Sequence, residues 1–236
     1  LPTTVLFMRL AASAEPKKAG RAVRALLAIF ILLGLFAYVS LGTGTGALIL
    51  FGSVQATMLM VAIRTGERFR VPEVFGLALA LAGLVVLMRP GLSAPSPIGC
   101  ALMVAAGASW GVYSLLGRGS TDALGETARN FALAAVPAVA LAAVHMGHAR
   151  VTPAGACLAL ISGAITSGLG YVLWFKALGG LTAIRAATVQ LAVPALAALG
   201  GVVALGEAIS LRLLLASSLI LGGVAVAMAS RARRGP

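Results

Sequence analysis

Between Pro153 and Ala229 the chain runs through three apolar stretches joined by two very short turns. They read PAGACLALISGAITSGLGYVLWFKAL, TAIRAATVQLAVPALAALGGVVAL and LLLASSLILGGVAVAMA, with GGL and GEAISLR between them. Each stretch is close to the ~20 residues that a helix needs to cross a bilayer. A unit of this kind has no use in water, so the fold expected is an all-α polytopic membrane protein.

The rest of the chain agrees. Of 236 residues, 60% are hydrophobic and only 10% are charged, against about a quarter charged in soluble domains. Mean hydropathy is +1.04. The net charge of +12 would suggest nucleic acid in a soluble protein. Here the cations sit at the ends of apolar runs, which is where topology determinants belong. No nucleic-acid partner is expected. Cys100 and Cys157 fall inside apolar runs without metal-ligand spacing. They read as small buried residues, with no metal and no cofactor implied.

Eight spans are predicted. The charge-free run Ala25–Ile63 divides at the Gly42–Gly46 cluster into spans 25–41 and 47–63. Pro72 opens the span that ends near Met88, and Pro97 the one that ends near Gly117. Arg118–Arg129 reads as a loop in which Asp122 is a candidate N-cap. Asn130–Met146 follows, with Pro137 as a kink. The three C-terminal stretches complete the set. Leu1–Ala12 is too short to span and carries Arg9, so it reads as the stump of a further helix. The first residue is Leu, and no signal peptide is recognisable. The expectation is a chain lacking its upstream part.

Charge sets the orientation. Placing Ser13–Arg24 inside and alternating puts 14 cations inside: Lys17, Lys18, Arg21, Arg24, Arg64, Arg68, Arg70, Arg118, Arg129, Lys176, Arg185, Arg231, Arg233 and Arg234. Outside are 3: Arg89, Arg150 and Arg212. Lys and Arg concentrate in cytoplasmic loops, so both termini are predicted to be cytoplasmic, in the plasma (inner) membrane.

The chain also repeats itself. An offset of 140 residues carries Gly66-Glu67 onto Gly206-Glu207, Leu79 onto Leu219, Gly83 onto Gly223 and Met88 onto Met228, with no gap. Five predicted spans separate the two Gly-Glu turns. An odd number places the copies on opposite faces, which is the inverted-topology repeat of many secondary transporters.

These residues resemble a known family. SWGVY with Arg118, then YVLWFKAL, Pro194, the Gly206-Glu207 turn and LILGGV, are similar in order and spacing to the second repeat of the drug/metabolite transporter superfamily, EamA type. The resemblance covers about residues 20–230. It implies ten helices in two inverted halves that move metabolites, amino acids or toxic compounds, often outward. On that pattern residues 1–92 are a truncated first repeat (a stump plus three helices), 93–230 a second repeat of five helices, and 231–236 a basic cytoplasmic tail. The PTTVLFMRLAA segment is readable as the start of the family's second helix.

Candidate functional residues are neutral. The six acids Glu15, Glu67, Glu73, Asp122, Glu126 and Glu207 lie in loops or at helix ends. No carboxylate is expected inside the membrane to relay protons or hold a cation. No catalytic constellation is present, so an enzyme is not expected. Gln55 sits mid-helix with Ser53 and Thr57 close by. An amide unpaired in hydrocarbon costs roughly 4–8 kcal/mol on alkane scales, so it must face a helix–helix hydrogen bond or a wet cavity. Gln190 lies one turn before Pro194, whose ring frees a carbonyl and kinks the helix, and this favours the cavity. Trp110 and Tyr113 share one helix face, as do Ser167, Tyr171 and Trp174. Such faces suit an amphipathic or cationic solute. Trp174, beside Lys176, reads instead as an interfacial belt residue. The candidate substrate-binding residues are thus Gln55, Trp110, Tyr113, Tyr171 and Gln190, with Pro194 as the kink lining the path. Gly107 with Gly111, and Gly163 with Ser167, read as close-packing positions. Glu67 and Glu207 read as caps.

The function expected is secondary transport, directed outward, of a small metabolite or amphipathic compound by alternating access. The alternative is a truncated, non-transporting membrane protein that packs with a partner chain. The partners expected are a small-molecule substrate and the lipid bilayer, with a homodimer as one way of completing the path.

Overall fold

The computed structural model describes residues 16–89, 96–118, 120–144, 152–206 and 208–229. The Leu1–Ala12 stump, Glu15, Glu207 and the basic tail lie outside the described residues. Every regular element among the described residues is helical. In order these are α1 (Pro16–Ser40), α2 (Thr43–Arg64), α3 (Val71–Met88), α4 (Pro97–Leu116), α5 (Ala123–Val144), α6 (Pro153–Leu160), a π-helical stretch (Ile161–Leu169), α7 (Gly170–Leu178), α8 (Ala183–Gln190), α9 (Ala192–Leu205) and α10 (Leu211–Ala229). The spans are α2, α3, α4, α5, Pro153–Leu178, Ala183–Val203 and α10. These 7 are long and apolar enough to cross a membrane, and α1 adds the shorter apolar helix Leu27–Ser40. The protein is a multi-pass α-helical membrane protein.

Several boundaries differ from expectation, for local reasons. α1 begins at Pro16, so the basic segment is helical, as its Lys, Arg and Ala content favours. Only Leu41-Gly42 interrupts the helix between α1 and α2. α5 begins at Ala123, not Asn130, because Asp122 does cap it: Oδ1 accepts the Gly125 N–H at 2.9 Å. The expected loop was polar helix rather than coil. Pro137 lies inside α5, which continues through it. Cys157 is exposed and Cys100 only half-buried, so neither is a buried core residue. In a bilayer an outward-facing thiol on an apolar helix meets acyl chains and needs no core.

Contacts divide the chain into two units, Leu1–Leu33 with Val112–Gly180, and Gly34–Gly111 with Leu181–Pro236. The second unit is built on α3 and α10, the most extensive helix pair among the described residues. Leu77, Ala80, Leu84 and Leu87 of α3 meet Ile184, Leu191, Ala195, Leu213, Ala216 and Ile220 in one core. Glycine lets the two helices touch. A Cβ on Gly83 would meet Ala216 O and Ile220 N at 2.9 Å. A Cβ on Gly223 would meet Gly76 O and, at 2.8 Å, Ala80 N. The 140-residue offset maps each of these contacts onto the other, since 76 + 140 = 216, 80 + 140 = 220 and 83 + 140 = 223. The pairing is therefore self-complementary about a pseudo-two-fold, as the inverted repeat requires. The turns match as well: Gly66 and Gly206 are the positive-φ residues among those described, at 70° and 68°. A side chain would be strained there, so Gly is needed at both.

Gly107 and Gly111 pack as expected. A Cβ on Gly107 would meet Leu50 O and Ser53 Cβ at 2.7 Å, and one on Gly111 would meet Thr57 Cβ at 3.0 Å, so α4 lies directly on α2. Gly163 does not: nothing lies within 4 Å of the place its Cβ would take. The expected continuous helix there is π-helical over Ile161–Leu169, a geometry frequent at functional sites.

Candidate functional site

In the second unit the candidates are amides. Gln55 lies midway along α2 and is 2% exposed, with neither Oε1 nor Nε2 partnered. Its polar neighbours turn their hydroxyl protons to their own helix. The Ser53 hydroxyl donates to Ile49 O at 2.7 Å and the Thr57 hydroxyl to Ser53 O at 2.8 Å. Among the described residues, the helix–helix hydrogen bond considered for Gln55 is not made. Gln190 ends α8, is buried, and leaves its Oε1 unpartnered. The helix breaks directly after it. Pro194 has no N–H for the Gln190 carbonyl four residues back, and the Leu191 N–H turns to Thr188 O at 3.1 Å instead. α2 packs against α8, so the two amides sit on neighbouring helices of one unit. Trp110, on the α4 segment of this unit, is half-buried.

A charged group also lies here that sequence reasoning left at a helix end. Glu73, in the first turn of α3, is buried and accepts the Arg185 Nε–H at 2.8 Å. The Arg185 and Glu73 side chains are 5% and 4% exposed. The carboxylate is where the sequence put it, at a helix start, but it is out of solvent. Arg185 lies in the first turn of α8. Glu67 caps as expected, though on another helix: both its oxygens accept the Ala183 N–H at the start of α8.

In the first unit the candidates are aromatic. Tyr113 is wholly buried, with the Phe175 ring 5.3 Å and the Tyr171 ring 6.1 Å away. Phe131 meets Tyr171 edge-on at 4.9 Å. The Asn130 amide donates to Tyr113 Oη at 3.4 Å. The structure thus joins Tyr113 and Tyr171 in one cluster and adds Asn130, Phe131 and Phe175. Phe175 was legible as the residue one turn beyond Tyr171. Asn130 was legible only as a polar residue at the foot of an apolar run. The Trp174 Nε1–H donates to Ser114 Oγ at 3.2 Å, so its polar edge faces protein. Thr127, one turn before Phe131, is buried with its hydroxyl unpartnered.

Among the described residues no group of three or more His, Cys, Asp or Glu could hold a metal ion. Among the described residues, one unit offers buried hydrogen-bonding amides and a buried ion pair; the other offers an aromatic surface with a hydroxyl and an amide.

The comparisons with known proteins point the same way. The EamA-like transporter family matches residues 97–229, more than half of the chain. An uncharacterized protein of Pseudomonas aeruginosa is 46% identical over 221 residues, covering 94% of this chain and 77% of its own. The threonine/homoserine exporter RhtA of Escherichia coli is 34% identical over 140 residues, 56% of this chain; the chain spans only 46% of that exporter's length. A solved crystal structure matches with a TM-score of 0.74 at 26% identity, over 91% of this chain and 79% of that one.

Proposed function

The chain belongs to the EamA-like transporter family, and from that premise we propose that it is a secondary transporter exporting a small metabolite by alternating access. Family membership makes it a membrane transporter with a small-molecule substrate. The finer reading rests on one observation above all, the Gln55 amide with both polar atoms buried and unpartnered. Leaving such a group in a spanning helix costs stability unless a solute or water completes its bonds. Gln190 and Trp110 are the further solute contacts in the same unit, with Pro194 setting the break beside Gln190; within the other unit, Tyr113 and Tyr171 are a separate candidate contact surface. Amphipathic solutes fit the aromatic faces; hydroxylated amino acids are the first solutes to try, because an exporter of threonine and homoserine is a relative.

Residues 1–92 and 93–230 act as two inverted halves that rock about the α3–α10 crossing. Both termini are cytoplasmic and the membrane is the inner one. A second copy of the chain completes the path where one copy is insufficient. The test is efflux of labelled threonine, homoserine and an amphipathic cation from vesicles holding the purified protein. Gln190→Ala and Tyr171→Ala are expected to slow efflux of the transported solute by about tenfold or more, the equivalent of about 1.4 kcal/mol at the transition state. Efflux unchanged in both variants would overturn the site; no efflux of any solute by the wild type would overturn the transport reading.

A further inference from the structure

Two carboxylates, Glu67 in the turn between α2 and α3 and Glu73 in the first turn of α3, hold the start of α8. Glu67 accepts the Ala183 N–H at 3.0 and 2.9 Å. Glu73 Oε1 accepts the Arg185 Nε–H at 2.8 Å while its Oε2 accepts the Arg70 N–H at 3.2 Å. One side chain thus joins the first turns of α3 and α8. A carboxylate at a helix N-terminus is favourable on its own. The buried ion pair needs another reason. Desolvation offsets most of the attraction between buried charges, and the best-attested use of such pairs is to fix one arrangement against its alternatives. In membrane proteins, ionisable groups held out of water mark function by default.

What they fix is a half-helix. α8 has 8 residues and ends at Gln190. A helix so short does not hold itself together; it depends on what grips it. Whatever grips Ala183 and Arg185 also places Gln190, two turns on. The repeat supplies an internal control. At the 140-residue offset, Glu73 corresponds to Leu213 (73 + 140) and Arg185 to Thr45 (185 − 140), so the other copy has no ion pair at this place.

We propose that the Glu73–Arg185 pair, with Glu67 on the Ala183 N–H, is a latch that closes the way to Gln190 from the face of the α2–α3 turn and releases α8 when solute passes on that side. The latch rests on the transport reading above. Glu67, Glu73 and Arg185 are positioning residues: they act through α8 and do not touch the solute.

Sided labelling tests this without a solute. In a Cys100→Ser, Cys157→Ser background, Gln190→Cys is the reporter and the exposed Thr65→Cys marks the face of the turn. A membrane-impermeant maleimide is applied to vesicles of both orientations. Glu73→Leu with Arg185→Thr gives this copy the residues of its mate and leaves no unpaired charge. It is expected to speed labelling of the reporter from the Thr65 face by about tenfold, the mark of a population shifted to an open state, with the opposite face unchanged. Arg185→Lys, which keeps the pair, is expected to label as slowly as the background. A folded double variant that labels at the background rate overturns the latch and leaves the pair a structural one. Should the double variant not fold, Glu73→Gln decides in the same way: faster labelling from the Thr65 face supports the latch, and an unchanged rate overturns it. The two readings fail separately, since an absent labelling difference sinks the latch alone and absent efflux from wild-type vesicles sinks the transport reading.

Discussion

α2 and the α8–α9 pair are the same element twice. The 140-residue offset lays Thr43–Arg64 on residues 183–204. The first copy is one unbroken helix of 22 residues. The second is broken at Leu191 into pieces of 8 and 14. The sequence difference that breaks it is small. Pro194 stands where α2 has Val54, since 194 − 140 = 54. A proline removes a backbone donor and pushes its ring against the carbonyl four residues earlier. The broken copy is also the gripped copy, with Glu67 and Glu73 on its first turn. The unbroken copy carries the more completely unsatisfied amide, Gln55, where its mate has Ala195. An inverted repeat makes the two faces of a transporter equivalent by default. On the transport reading proposed above, these substitutions make them inequivalent and divide the work unevenly: a rigid helix would hold one polar group ready, and a divided one would move.

The largest expected effect comes from giving α2 its mate's break. Val54→Pro should cost about 3 kcal/mol or more, the usual loss for proline inside a helix. Reversible unfolding in mixed micelles measures it. A cost under about 1 kcal/mol would mean that α2 tolerates a break as its mate does, and the contrast between them would dissolve.

Next is the crossing, where the copies should behave alike. Gly83→Ala and Gly223→Ala each drive a Cβ into backbone atoms of the facing helix. Each should cost about 1–3 kcal/mol, the range for overpacking. Because the contacts exchange under the offset, the two costs should agree. A clear inequality, in the same unfolding measurement, would show that the pseudo-two-fold is one of shape and not of energy.

The reverse change is milder. Pro194→Val restores the donor that the Gln190 carbonyl lacks and should add about 1 kcal/mol, the net worth of one hydrogen bond. The continuous helix should then transport about tenfold more slowly, because the half-helix no longer moves as a piece. A variant that is both more stable and as fast would remove the break from the mechanism.

How much of this was readable beforehand follows from the range of each interaction. The helices were legible because bilayer thickness imposes a length and an apolar composition on each run. Their ends were less so: Ala123–Arg129 is helix-forming but polar, so hydropathy stopped short of it. The inverted repeat was legible through the Gly66 and Gly206 turns, where the backbone itself demands glycine. Gln55 was legible because a lone amide in a spanning helix is costly wherever its neighbours lie. The Glu73–Arg185 pair was not. The partners are 112 positions apart, and each alone looks like an ordinary boundary charge. For the same reason Tyr113 and Tyr171 could be placed on helix faces but not against each other, and Asn130 had no visible partner until the chain was folded.

The smallest expected change is the one that separates stability from function. Gln55→Leu keeps nearly the same volume and removes both unpartnered polar atoms. Had Gln55 made an interhelical hydrogen bond, its loss would cost about 0.6 kcal/mol on average in a membrane protein. It makes none among the described residues, and a buried polar group without a partner is a burden whose removal is neutral or favourable. Stability should therefore stay level or rise slightly, while efflux, on the proposed site, falls by about tenfold with the loss of the bonds offered to the solute. The sign of the small term carries the information. A drop in stability with unchanged efflux would mean that α2 holds its amide for packing, as an ordinary helix does. The uneven division of labour between the two copies would then rest on the broken helix alone.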